Sequence, residues 1–303
     1  MPMKRRIFVS LPSDESLADH PEQNAVKWGI VDEIVKLGYV PEIFRDSRDE
    51  AVGEVSAAGW SAGNFDRIIR RCCGCVIIGL PRWHLFDGDK RVQLASEFTH
   101  YEGAVASSLK LPVLVVRQEG VQRRVFFDPS YDGHVAVMPA LVEPSWLATR
   151  EFRRPFERWQ EDVAKRRDVF FGYCGSSDET ARLLKQYLTE ELHLTVLDWK
   201  TDFKPGHSIL SQIQDAADRC GGAVLLFTRD DNFADGSISA PRDNVVFEAG
   251  YFSSAKGKDR VLIVRQQGAK MPADLGGDIY AALPHASDIG PLREVLERFV
   301  DAL

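Results

Sequence analysis

Residues 114–120 read LVVRQEG and residues 262–268 read LIVRQQG, identical at five of seven positions and about half the chain apart. At the same offset, Arg71-Cys72-Cys73-Gly74-Cys75-Val76-Ile77-Ile78 is answered by Arg219-Cys220-Gly221-Gly222-Ala223-Val224-Leu225-Leu226. A third pair, Phe156-Glu157-Arg158-Trp159 and Leu296-Glu297-Arg298-Phe299, lies near the end of each half at a slightly shorter offset. Three matching segments in one order mark the duplication of a whole domain, a period far longer than that of a solenoid.

Working outward from these segments, each half reads as the same string of elements. An apolar run opens it, Ile7-Phe8-Val9 or Val169-Phe170-Phe171. A helix follows, with Val26, Ile30, Ile34 and Leu37, or Leu183, Leu184, Tyr187 and Leu188, on one face. A short second strand (40–44; 195–199) and a second helix lead into an unbroken apolar strand (75–78; 223–227). Strands with no polar alternation belong in a parallel sheet covered on both faces. A third helix carries an acidic motif, then comes the Leu-Val-Val-Arg-Gln strand and a closing helix. The alternation predicts an α/β chain of two tandem Rossmann-like, doubly wound parallel-sheet domains with right-handed crossovers. The segment 151–167, EFRRPFERWQEDVAKRR, reads as a charged amphipathic helix with Pro155 near its first turn. The expected domains are therefore 1–166 and 167–303. The first half is longer in its loops, 46–63 and 127–135 among them.

The chain has 303 residues, 44% hydrophobic and 27% charged, the make-up of a folded globular protein. A net charge of −7 argues against a nucleic-acid or acidic-membrane surface. Five cysteines, an odd number, suit a reducing compartment better than a disulfide framework. No apolar run approaches the roughly 20 residues of a membrane span, and Ile7-Phe8-Val9 after Lys4-Arg5-Arg6 is too short for a secretory signal. A cytoplasmic location is expected. Cys72, Cys73 and Cys75 lack a partner set for zinc, and His84, His100, His193 and His207 show no ligand spacing, so no metal is expected.

In open α/β sheets, ligands sit at the carboxyl ends of the strands. In the second half those loops are 172–178, 198–208 and 228–244. The first offers Gly172, Tyr173, Cys174, Gly175 and Ser176, small enough in part for backbone N–H groups to face a phosphate or ribose. It has neither a Walker sequence nor a GxGxxG. The alternative reading is a tight turn with Ser177 or Asp178 capping a helix. The third loop runs from Thr228-Arg229-Asp230-Asp231 to Pro241-Arg242-Asp243-Asn244-Val245-Val246-Phe247-Glu248-Ala249-Gly250-Tyr251-Phe252. Asp230, Arg242 and Asn244 are candidate ligand contacts there. Glu248 is one carboxylate in a greasy helix, near the positive end of the dipole. By position alone it could equally be a first-turn glutamate contributing roughly 0.3–1 kcal/mol.

The run from Asp168 to about Leu283 resembles the TIR-like family of nucleotide-binding effectors in bacterial anti-phage signalling. The resemblance rests on the opening strand and small-residue loop, Leu-Phe-Thr-Arg-Asp-Asp, PRDNVVFEAGYF, Val-Leu-Ile-Val, and Met271-Pro272-Ala273-Asp274-Leu275-Gly276-Gly277. It implies an enzyme that hydrolyses or cyclises NAD and releases nicotinamide, with one essential glutamate, Glu248 by its place in the motif. NAD would be substrate, with no separate cofactor. The family's opening loop often carries a His-Gly-Arg/His-Asp signature, replaced here by Tyr173-Cys174-Gly175-Ser176. One carboxylate suffices for such chemistry, because nicotinamide leaves a pyridinium as a neutral base and the barrier is an oxocarbenium-like ribose. Trp199, Phe233 and Phe247 are candidate stacking partners or core residues. The resemblance also implies a homo-oligomer and a nucleotide second messenger.

In the first half, 91–111 reads RVQLASEFTHYEGAVASSLKL, and a two-residue offset sets Glu102 opposite Glu248. This short segment resembles nucleoside deoxyribosyltransferase-like domains, so the half is either a regulatory, nucleotide-sensing module or a structural copy. Two function classes stay open: an NAD glycohydrolase effector, or a non-catalytic nucleotide-signal sensor or scaffold.

Overall fold

The computed structural model describes residues 5–13, 17–44, 60–128, 130–131, 133–232, 239–275 and 280–303. The chain divides into two compact units, Lys4–Lys165 and Arg166–Leu303.

In the first unit the elements follow as β1 (Arg6–Ser10), α1 (Pro21–Lys36), β2 (Val40–Glu42), α2 (Ala62–Ile69), β3 (Cys72–Gly79), β4 (Trp83–Asp87), β5 (Lys90–Leu94), α3 (Glu97–Ser108), β6 (Val113–Gln118), β7 (His134–Met138) and α4 (Arg150–Ala164). Its main sheet has the order β2-β1-β3-β6-β7, all parallel. The second unit runs β8 (Arg167–Tyr173), α5 (Asp178–Gln186), β9 (Val196–Asp198), α6 (Trp199–Asp202), α7 (Ile209–Arg219), β10 (Cys220–Phe227), β11 (Asp231–Asn232), β12 (Ser239–Ala240), α8 (Asp243–Lys256), β13 (Val261–Gln266), β14 (Tyr280–Leu283) and α9 (Arg293–Ala302). Its sheet order is β9-β8-β10-β13-β14, again all parallel. Both are the same doubly wound arrangement, with the order reversing beside the first strand.

The duplication is visible in the register. Cys75 pairs with Val113 in the first sheet, and Ala223 with Val261 in the second, both partners shifted by the offset of the sequence repeat. Gly120 and Gly268, also equivalent, both take positive φ, 89° and 85°, two residues after their strands end. That conformation favours glycine and accounts for its recurrence in the quoted heptapeptides.

Each sheet is covered on both faces, as its apolar strands require. In the first unit Val26, Ile30 and Ile34 of α1 and Phe152, Phe156 and Trp159 of α4 pack on one face. Phe65, Ile68 and Ile69 of α2, with Ala106 of α3, pack on the other. The second unit repeats this with Leu184 of α5 and Leu296 and Phe299 of α9 on one face, and Ile213 of α7 with Val245, Ala249 and Phe252 of α8 on the other.

Three details differ from the expectations. Each sheet has a fifth strand, β7 or β14, in which buried and exposed residues alternate. Helix α4 starts at Arg150, so Pro155 is its sixth residue and lies inside it, where Glu151 loses a helical N–H partner. The stripe Phe152, Phe156, Trp159 and Val163 buries regardless, at helical spacing. Between β3 and α3 an antiparallel hairpin, β4–β5, turns at Gly88 with φ 60°. At the matching place the second unit has the short β11–β12 pair.

Candidate functional site

Along α8 the buried positions are Val245, Glu248, Ala249 and Phe252, the stripe with which an amphipathic helix faces its sheet. Glu248 thus occupies a core position with a carboxyl group, in the second turn of the helix and 6% exposed. Its Oε2 atom is buried and has no hydrogen-bond partner among the described residues. The same oxygen lies over Gly172 at the carboxyl end of β8, beside Leu225 and Phe170. This apolar setting disfavours the charged form, and burial pushes the pKa up to about 8. A carboxyl so placed is a neutral acid at rest; a nearby positive charge would drive it to the carboxylate.

A polar cluster lies along the ends of β8 and β10. Asp230 Oδ1 accepts from Ser176 Oγ at 2.9 Å and from Thr228 Oγ1 at 2.7 Å. Its Oδ2 accepts the backbone N–H of Arg242 at 3.1 Å, tying the strand end to the start of α8. Ser177 Oγ lies 2.6 Å from Thr228 Oγ1 and makes no capping bond to α5. Arg242 is held between Asp231, at 3.0 Å, and Cys174; Cys174 Sγ also accepts from Ser176 Oγ at 3.2 Å.

The structure therefore brings Gly172 to Glu248, and joins Cys174, Ser176, Asp230 and Arg242 in one cluster. Gly175 opens the short turn that carries Ser176, with open space where a side chain would be. Tyr173 follows Gly172 on β8 and so faces the other side of the sheet. Its hydroxyl donates to Asp198 at 3.2 Å, and its ring lies 5.7 Å from that of Trp199. Burial and the neighbouring Asp198 push the Tyr173 pKa upward. Lys185 Nζ also reaches Asp198, at 2.7 Å. Asn244 is exposed, and Phe247, half exposed, has its ring 6.3 Å from that of Tyr251. Phe233, Gly276 and Gly277 lie outside the described residues. Thr228 was missed as a member of the polar cluster; its signal is its place at the carboxyl end of β10.

The first unit carries a counterpart. Ser10 pairs with Ile77 as Gly172 pairs with Leu225, so the two occupy the same place in their sheets. Glu102 of α3, 5% exposed, meets Ser10 there and accepts from Trp60 Nε1 at 2.9 Å. Both units set one buried glutamate of the third long helix against the end of the first strand. Among the described residues no helix is long and apolar enough to cross a membrane.

Residues 168–285, within the second unit, match the family described as CAP12/Pycsar effector protein, TIR domain. Over 171 residues the chain is 30% identical to the Pycsar effector protein BcPycTIR of Burkholderia cepacia, covering 52% of this chain and 56% of that protein. Over 112 residues it is 33% identical to CD-NTase-associated protein 12 of Flavobacterium daejeonense, 36% of this chain and 35% of that one. The match thus spans about half of the first relative's length and about a third of the second's. Among solved structures, the TIR domain of the Toll-related receptor TRR-2 from Hydra magnipapillata aligns with 44% of this chain and 98% of its own, at 15% identity and a TM-score of 0.35.

Proposed function

We propose that the second unit, a TIR-like domain, cleaves NAD between nicotinamide and ribose, with Glu248 as the catalytic carboxylate, as an effector of anti-phage defence that answers a nucleotide signal. The observation that carries this reading is the buried Glu248 oxygen, without a partner among the described residues and set against a glycine at the carboxyl end of a parallel sheet. A polar atom left unsatisfied in a core costs stability, about 1–3 kcal/mol for a neutral group. Its retention fits a group whose partner arrives with the substrate.

The chemistry needs little else. The bond from C1′ of the ribose to the pyridinium nitrogen breaks, and its electron pair neutralises the departing nicotinamide. The ribose carries the positive charge until water adds at C1′ and gives up a proton, or until another nucleophile of the same molecule closes a ring. Glu248 loses its proton to solvent as the pyridinium of the substrate settles beside it, and the resulting carboxylate stabilises the oxocarbenium-like ribose. The Ser176–Asp230–Arg242 cluster supplies hydroxyl, carboxylate and guanidinium groups for ribose or phosphate. The family match over residues 168–285 supports the assignment, and a homo-oligomer that completes the site is part of it. The test is to incubate purified protein with NAD and a panel of cyclic nucleotides, following nicotinamide by chromatography. Release that depends on one of those nucleotides is expected; no release under any of them sinks the proposal.

A further inference from the structure

The first unit holds a cavity of about 230 Å³ that the reading above does not use. It opens at the carboxyl ends of β1 and β3, beside the start of α3, where the strand order reverses. That crevice is where open parallel sheets bind ligands. Its walls include Trp28, Trp60, Trp83 and Phe98, and Glu102 faces it from α3. Trp60 stands edge-on to Phe98, with ring centroids 4.6 Å apart, while its indole N–H holds one Glu102 oxygen. Phe98 and Trp83 are 53% and 45% exposed, large aromatic surfaces left open at the mouth. Arg82, with its guanidinium 5.6 Å from the centre of the Trp83 ring, supplies a cation at the rim.

We propose that this cavity binds a nucleoside or nucleotide by its base, with the heterocycle among the aromatic side chains and its N–H edge on Glu102. The argument is one of matched chemistry. Flat rings stack on flat rings, at about 1–3 kcal/mol for each base–aromatic contact. A buried carboxyl group offers a second, directional interaction that a greasy ligand could not use. Burial raises Glu102 to a pKa of about 7, so near neutrality it can present an acceptor oxygen or an O–H donor to a base edge. The cavity is smaller than the roughly 300–1,000 Å³ of sites for drug-sized molecules, which suits one ring system with its sugar leading outward. Ribose and any phosphate then leave past Arg82. The inference concerns the first unit alone and stands whether or not the second unit cleaves NAD.

Equilibrium dialysis of the full chain against radiolabelled adenosine, uridine, AMP and UMP tests it, with millimolar inorganic phosphate as competitor. Saturable binding of at least one base, undisplaced by phosphate, is expected. Glu102→Gln, whose single amide oxygen can keep the Trp60 N–H and leave a fixed NH2 donor in place of the second carboxyl oxygen, should weaken that binding at least about 10-fold, the loss of one hydrogen bond to an ionisable group. Phe98→Ala, at a half-exposed position at the mouth, should weaken it comparably, and Leu141→Ser, at an exposed site outside the cavity, should not. No binding to the intact chain, displacement by phosphate alone, or binding unchanged in both Glu102→Gln and Phe98→Ala would each overturn the proposal.

Discussion

Glu248 Oε2 lies so close over Gly172 that a β-carbon on residue 172 would collide with it. The same β-carbon would meet Leu225 Cδ1 at 2.7 Å and Phe170 Cε1 at 3.0 Å. Glycine is required here by the carboxyl group and its apolar neighbours. Gly172→Ala should therefore push Glu248 out of place while leaving the sheet intact. Overpacking of this kind costs about 1–3 kcal/mol, readable as a lowered melting temperature. Nicotinamide release should fall at least about 10-fold, because a displacement of roughly 1 Å in a catalytic group can cost 100-fold. Turnover equal to that of the natural chain would show that the Glu248 position does not matter.

Glu248→Gln keeps the size of the side chain and removes its charge. If the carboxylate stabilises the oxocarbenium-like ribose, turnover should fall at least about 100-fold, the range for loss of one such electrostatic group. NAD binding should weaken much less, since an interaction made mainly in the transition state registers in turnover. Single-turnover nicotinamide release and NAD affinity, measured on the same sample, separate the two quantities. A variant that still turns over at the natural rate removes Glu248 from the mechanism.

The raised pKa gives the reaction a pH signature. With the free chain's Glu248 titrating near 8, kcat/KM for NAD should rise with pH and level off above that value, because it reports the free enzyme. In the complex the pyridinium charge favours the carboxylate, so the inflection in kcat should lie lower. A kcat/KM profile flat between pH 6 and 9 would contradict a protonated resting Glu248.

Much of this arrangement was legible in the sequence, because unbroken apolar strands and a repeat of domain length leave few alternatives. The strands β3, β10, β6 and β13 fall where the repeated segments do. Strands β7 and β14 escaped notice for a physical reason: each lies at the sheet edge, and its alternating burial resembles neither the buried strands nor a helix. The β4–β5 hairpin, exposed along all of β4, left no hydrophobic pattern to read. The site was legible in its residue types and not in its geometry. Glu248 is remote in sequence from Gly172, as Glu102 is from Trp60; only strand register and helix facing join them. Tyr173 shows the same limit, since a neighbour of Gly172 in sequence is turned to the opposite face of the sheet.

The last prediction concerns stability, and its sign follows from the same burial. Below pH 4.5 Glu248 is protonated both folded and unfolded, and contributes no pH dependence. Between 4.5 and about 8 the unfolded chain releases this proton while the folded chain keeps it. The folded state then binds more protons, so stability falls as pH rises across that window and the slope vanishes above it. By pH 7 the loss amounts to roughly 3 kcal/mol. Glutamine matches the protonated acid in shape and does not titrate, so Glu248→Gln should match the natural chain in stability near pH 4 and exceed it increasingly toward pH 8. Urea unfolding of both proteins across that range gives the difference directly, read on the transition that the substitution moves. An ordinary helix-dipole glutamate predicts the opposite, a variant slightly less stable at neutral pH. A variant that is more stable at pH 8 and nearly inactive would show that the buried carboxyl is held at the expense of the fold, as a group kept for chemistry is expected to be.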